Sequence, residues 1–182
     1  RRLNTETIDI YQIHWPDRIV NIFGQQDFKP PENAEIENAK IPETLETLEN
    51  LKKDGKIRAY GVSNETPWGV MKYISFAEKN GWGKIASIQN PYNLLNRTFE
   101  SGLAEISYRE SVGLLAYSPL AFGILTGKYI DGKKPARARL TLYSRFQRYK
   151  TKNALRATQE YVQLANEHAL NPSQMALAFG IL

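Results

Sequence analysis

Short apolar runs begin at Ile57, Ile85 and Gly113, 28 residues apart each time, and a segment of helical period follows each. That interval fits one strand, one helix and their connections, and a strand that re-enters its sheet through a helix lies parallel to the one before. The runs are Ile57-Arg58-Ala59-Tyr60-Gly61-Val62, Ile85-Ala86-Ser87-Ile88-Gln89 and Gly113-Leu114-Leu115-Ala116-Tyr117. A fourth, Ile8-Asp9-Ile10-Tyr11-Gln12-Ile13, precedes them. All four read as buried strands.

The helix ends are marked as well. Pro42 opens a helix that carries Leu45, Leu48 and Leu51 and stops at Gly55. Thr66 and Pro67 form an N-cap and first-turn pair, with Val70, Tyr73, Ile74 and Ala77 as the apolar face and Gly81 near the end. A third helix is expected from Thr98 or Phe99 through Leu103, Ile106 and Tyr108. A fourth is expected from about Lys152 to His168, and a fifth from Asn171-Pro172.

Strand and helix in alternation predict an α/β fold with a parallel sheet. The regular interval favours a (β/α)8 TIM barrel over an open doubly wound sheet, and no strand-to-helix turn carries the GxGxxG of the latter. A full barrel takes eight strands and about 250 residues; this chain of 182 shows four and ends within the helical run Met175 to Leu182. The expectation is therefore a single domain, residues 1–182, forming part of a barrel of about four βα units. Its two parallel edges should lead it to aggregate, dimerise or need further strands. The opening Arg1-Arg2-Leu3-Asn4 has neither Met nor an apolar signal segment, which suggests a start inside a larger protein.

Composition works here by exclusion. Without cysteine there is no disulfide, Cys-ligated zinc, iron–sulfur cluster or thiol nucleophile, and a reducing cytoplasm is the expected home. No apolar run approaches the roughly 18 residues of a spanning helix. The net charge of +5 is local: Lys128 to Lys152 holds nine basic residues against Asp131 alone, which is +8 and leaves −3 elsewhere. A phosphate-bearing ligand, a nucleic-acid patch or a solvated loop would each account for such a segment.

In a barrel, chemistry gathers at the C-terminal ends of the strands. The residues there are polar: His14-Trp15-Pro16, Ser63-Asn64-Glu65, Gln89-Asn90-Pro91-Tyr92 and Tyr117-Ser118-Pro119-Leu120. His14 can donate to a substrate oxygen or serve as a structural histidine. Asn64 and Gln89 each offer an amide that both donates and accepts, the pattern that holds a carboxamide, although loop hydrogen bonding uses the same groups. Tyr117 offers a face for a heteroaromatic ring, or for a core. Ser118 to Lys128 combines two glycines, two hydroxyls and a lysine, a composition suited to a pyrophosphate. The aperiodic segment from Pro16 to Ile41, with Phe23, Phe28 and Pro30-Pro31, reads as a substrate-side lid.

Three strings, Ile8 to Pro16, Gly55 to Asn64 and Ala116 to Tyr129, resemble the aldo-keto reductases. Ser63-Asn64-Glu65-Thr66, Gln89 to Arg97 and Ser144-Arg145-Phe146 look like the bacterial Tas-type branch, and only Gly180-Ile181-Leu182 fit poorly. The resemblance implies a (β/α)8 barrel that transfers hydride between NADPH/NADP+ and an aldehyde or ketone, with an Asp–Tyr–Lys–His tetrad. It implies that His14 is the tetrad histidine, that Ser63, Asn64 and Gln89 hold the nicotinamide carboxamide, and that Tyr117 stacks on the ring. Ser118, Pro119, Leu120, Ala121, Phe122, Gly123 and Lys128 would wrap the pyrophosphate. Arg139 would reach the adenosine phosphates, with Arg137 as the competing alignment. The tetrad Asp, Tyr and Lys belong to strands before His14, and the main 2′-phosphate loop to residues after Leu182. None of Tyr11, Tyr60 or Tyr92 takes the acid–base role, so this piece alone should not reduce a carbonyl at an enzymatic rate.

A second reading on the same fold is a nucleotide-binding regulatory subunit, as in the potassium-channel β subunits that resemble this barrel. A nucleic-acid patch is the weakest of the three, because the basic residues lack a stacking platform beyond Tyr143, Phe146 and Tyr149. The expected partners are a small carbonyl or alcohol substrate, no nucleic acid and no membrane, with a homo-oligomer left open.

Overall fold

The computed structural model describes residues 4–21, 27–30 and 40–181. Phe23 and Pro31 of the expected lid, the opening Arg1-Arg2-Leu3 and the final Leu182 lie outside them. The described residues form two compact units, residues 1–90 with 100–115, and residues 91–99 with 116–182.

The first unit holds the sheet. Strands β1 (Ile8–Ile13), β2 (Ile57–Ser63), β3 (Ser87–Gln89) and β4 (Gly113–Leu114) pair in chain order, every pair parallel. Order 1-2-3-4 is how a barrel advances, whereas a doubly wound sheet reverses direction beside its first strand. Helices α1 (Ile41–Lys53), α2 (Pro67–Asn80) and α3 (Leu103–Glu110) make the returns. The α2 face Val70, Tyr73, Ile74 and Ala77 is buried at helical spacing, as are Leu45 and Leu48 of α1. These join Ile57, Tyr60, Val62, Ile85 and Ile88 in the core. Thr66 caps α2 by accepting from the Gly69 N–H, and Gly81 ends it in the left-handed conformation that glycine adopts without strain. The Tyr60 hydroxyl donates to Glu49 Oε1 at 2.7 Å and lies against the Gly83 carbonyl; burial, then the Glu49 hydrogen bond, raise its pKa.

Three sequence expectations need correction. β1 is not buried: with β2 its sole neighbour among the described residues, Ile10 and Tyr11 stay 44% and 45% exposed. The third and fourth strands are shorter than their apolar runs, although single hydrogen bonds from Ala86 N to Tyr60 O and from Leu115 N to Ile88 O continue the pairing. The third helix is broken, a 3-10 turn at Thr98–Ser101 giving way to α3 after Gly102. A Cβ at Gly102 would sit 3.2 Å from Pro67 Cγ, so the break lies where the chain passes close to the start of α2.

The second unit is built from 3-10 turns at Ala121–Thr126 and Ile130–Gly132, a short α4 (Arg139–Leu142), α5 (Lys152–Glu167) and α6 (Pro172–Phe179). Ala121, Ile124, Leu125, Tyr149 and Ala176 are its core, flanked by Leu94, Leu95, Phe122 and Tyr161. Thr151 caps α5, and Asn171 caps α6 through the Ser173 and Gln174 N–H groups.

Candidate functional site

Each unit gathers some of the residues singled out in the sequence. In the first, the strand ends are laced by hydrogen bonds. Gln12, Gly61 and Ser87 lie in one row across β1, β2 and β3, and Ser87 Oγ donates to Gln12 Oε1 at 3.3 Å. A Cβ on Gly61 would collide with both side chains and sit 2.8 Å from the Ser87 carbonyl oxygen, so glycine is what lets the row close. Two residues further on, Ser63 Oγ donates to the Gln89 carbonyl at 2.7 Å and Asn64 N donates to the same oxygen at 3.0 Å. Asn64 is held in the left-handed region, φ 55, and its Nδ2 donates to the His14 carbonyl at 2.8 Å and to Ser63 Oγ at 3.2 Å.

His14, Ser63, Asn64 and Gln89 therefore stand together at one end of the sheet. The two N–H groups of the Asn64 amide are committed to His14 and Ser63. Gln89, half-buried, has a side-chain amide with no hydrogen bond among the described residues, so both its donors and its acceptor remain for a carboxamide. The His14 ring is exposed and packs on Trp15, with centroids 4.2 Å apart.

In the second unit, half-buried Tyr117 forms a parallel bridge with Pro91, and the loop after it is unusual in its backbone. Ser118, Ala121, Phe122, Gly123 and Gly127 all have positive φ. Ala121, Phe122 and Gly123 follow one another in that region, and the Ala121, Gly123 and Gly127 N–H groups close tight turns within the loop by donating to the Ser118, Leu120 and Ile124 carbonyls. Lys128 folds back onto that loop: a Cβ on Gly123 would lie 2.9 Å from Lys128 Cε and 3.0 Å from Nζ. The chain leaves room for an ammonium where a side chain would otherwise be. Asn93, fully buried, pins the loop by donating from Nδ2 to the Ser118 carbonyl at 2.9 Å and to Tyr149 Oη at 3.1 Å. The Arg139 guanidinium stacks over Phe146 at 4.3 Å and over Phe122 of the loop at 5.1 Å. Pro119, Leu120 and Ala121 run between, with the Ala121 N–H donating to Ser118 O at 2.8 Å.

Sequence reasoning missed Asn93, Arg18 and Glu65 as organising residues. Asn93 gives no signal because an amide used for packing reads like any loop asparagine. Arg18 and Glu65 are 47 positions apart and neither lies on a periodic pattern. Among the described residues no group of three or more His, Asp or Glu side chains is placed to hold a metal, and no helix is long and apolar enough to cross a membrane.

The model of the Aldo/keto reductase family matches residues 1–181, further than the poor fit expected at Gly180-Ile181-Leu182. Protein tas of Escherichia coli (strain K12) is 51% identical over 179 residues, which are 98% of this chain and 51% of that protein. An aldo-keto reductase of Babesia bovis is 41% identical over 187 residues, 97% of this chain and 65% of its own. The solved structure of a glycerol dehydrogenase from Gluconobacter oxydans superposes with a TM-score of 0.68 at 33% identity, over 97% of this chain and 46% of that one. The chain thus spans about half the length of the relatives it matches most fully, and its four parallel strands are part of their barrel.

Proposed function

The chain belongs to the aldo/keto reductase family, and from that we propose that it carries the cofactor-holding residues and the carbonyl-orienting histidine of an NADPH-dependent carbonyl reductase. The observation that supports this best is the tightly turned loop from Ser118 to Gly127 with Lys128 folded onto Gly123, which sets an ammonium against a glycine-bearing loop suited to a pyrophosphate. Pro119, Leu120, Ala121 and Phe122 shape that loop, and Arg139, resting on Phe122, would extend it toward adenosine phosphates, with Arg137 as the competing alignment.

The bound dinucleotide supplies the hydride. Gln89 would donate to and accept from the nicotinamide carboxamide, Ser63 and Asn64 would hold it beside Gln89, and Tyr117 would pack on the ring. His14 directs an imidazole N–H at the carbonyl oxygen of an aldehyde or ketone, where it orients the substrate and stabilises the charge that develops on reduction. None of Tyr60, Tyr92 and Tyr11 is proposed for the acid–base role. Tyr60 is sealed against Glu49 and Gly83, Tyr92 stacks on Phe179 at 5.1 Å, and Tyr11 lies exposed on the outer strand. This chain alone therefore binds cofactor without turning over. The absence of cysteine and the family relationship support a cytoplasmic setting.

Titration of NADPH followed by its fluorescence tests the reading. Micromolar binding is expected, weakened about tenfold in Tyr117→Ala, or ~1.4 kcal/mol, with aldehyde-dependent NADPH oxidation at background. Absence of binding by folded protein would sink the assignment.

A further inference from the structure

Arg18 and Glu65 form an ion pair that the chemistry above does not use. Arg18 Nη1 donates to Glu65 Oε2 at 3.0 Å and Nη2 to Oε1 at 2.5 Å, with the two side chains only 7% and 2% exposed. Parallel bidentate pairing of this kind fixes direction as well as distance. Nη2 also donates to Thr66 Oγ1 at 3.0 Å, and the guanidinium lies 4.9 Å from the Trp68 ring centroid. The pair has a seat built for it: a Cβ on Gly69, in the first turn of α2, would collide with the Glu65 carboxyl and with Arg18 Nη2. Glu65 is in turn fixed by Asn90, whose side chain accepts from Glu65 N at 3.2 Å and donates to Glu65 O at 2.9 Å.

The consequence lies four residues before Arg18. His14 is held through its carbonyl by Asn64, the residue next to Glu65, so the segment His14 to Arg18 is tied at both ends to the single turn Asn64-Glu65-Thr66. Buried Pro16 stiffens the middle of that span, and Trp15 rests on the His14 ring. A histidine whose segment is tethered at one end only would shift with that segment; the second tether fixes the backbone from which the ring projects onto Trp15.

We infer that Arg18 and Glu65 are positioning residues for His14, a buried clamp that fixes the direction of its imidazole from the side of the chain away from β1. The first described residues of the expected lid are thus anchored to the β2–α2 turn. The inference rests on the reading of His14 as the group that meets the carbonyl, but the clamp itself is testable without catalysis or cofactor.

The chain has only two histidines, His14 and His168, so carbon–proton NMR spectra of histidine-labelled protein report His14 with an internal reference in the second unit. Removing one charge would strand the other in a buried site, so the informative variant replaces both together, Arg18→Met with Glu65→Met, a change that buried pairs commonly tolerate. Expected are a melting temperature close to that of the parent, His14 ring protons that lose the upfield ring-current shift from Trp15 and broaden, and His168 signals unmoved. Unchanged His14 signals in the folded double variant would overturn the inference. Failure of that variant to fold would overturn it too, by making the pair a requirement of the fold rather than of His14. A parent chain that fails to bind NADPH would instead count against the proposed function and leave the NMR result standing.

Discussion

Gly61 is the smallest feature on which the candidate site depends. It faces Gln12 on one side and Ser87 on the other, and a methyl group there meets two side chains and a backbone oxygen at once. Gly61→Ala should cost about 2 kcal/mol by overpacking, read as a lower urea midpoint at unchanged slope. Adding Gln12→Ala should restore part of the loss and not all, since the Ser87 carbonyl stays where it is; full recovery would show that the side chain alone set the limit. Such a residue was not legible in the sequence, where Gly61 is one glycine inside an apolar run. Asn64 and Gln89 were legible as polar residues at strand ends, but the commitment of the Asn64 amide to His14 was not, because it depends on a register that only the folded sheet defines. Tyr73 offers a titration at the same scale. Burial first, and the Glu65 charge second, push its hydroxyl up to about 12 from an ordinary 10.0. A group that holds its proton more tightly when folded contributes stability that is complete below pH 10 and is lost as pH rises toward 12. The urea midpoint should therefore fall across that window, and Tyr73→Phe should flatten the part of the fall that Tyr73 causes. An identical slope in both proteins would assign the alkaline loss to other groups.

Two threonines cap helices in the same manner and should differ in what they are worth. Thr66 accepts from Gly69 N at 3.3 Å at the start of α2, and Thr151 accepts from Ala154 N at 3.2 Å at the start of α5. Thr151 is exposed and serves its helix alone, so Thr151→Ala should cost about 1 kcal/mol. Thr66 also receives the Arg18 Nη2 hydrogen bond in a half-buried site, so Thr66→Ala should cost about 2 kcal/mol, the cap plus a poorly satisfied cation. Chemical unfolding of both variants, with Thr66→Ser as the control that keeps the oxygen, decides it; equal costs would mean that the Arg18 contact adds nothing. Caps of this sort are why the helices were readable. Thr66-Pro67 and Asn171-Pro172 announce their starts in the sequence, and α5 ends one residue before the expected His168. The strands were readable in place and order but not in length or exposure. An apolar run records what a residue tolerates, while strand length records how many partners the neighbouring strand offers. Gly102 broke the third helix for a similar reason: its neighbour Pro67 comes from 35 positions earlier, beyond the reach of any local pattern.

At the scale of the molecule, the sheet has two outer strands, and β1 shows most plainly what that entails. Successive residues of a strand face opposite sides of the sheet. Ile10 and Tyr11 are nevertheless exposed to nearly the same extent, so among the described residues both faces of β1 are open at its middle and its outer edge is unpaired. At β4, Leu115 is exposed to 44% just after the strand. Unpaired backbone beside exposed apolar side chains is a template for another strand, whether from further chain or from a second copy. This chain should therefore associate as its concentration rises, which sedimentation velocity across a dilution series reads directly. Ile10→Lys puts a charge on the outer strand and leaves Gln12, Ser63, Asn64 and the Ser118 loop unsubstituted, so it should suppress association while leaving the NADPH dissociation constant where it was. If Ile10→Lys instead weakens NADPH binding and association together, the β1 edge is coupled to the cofactor residues, and pairing of that edge is a condition for binding.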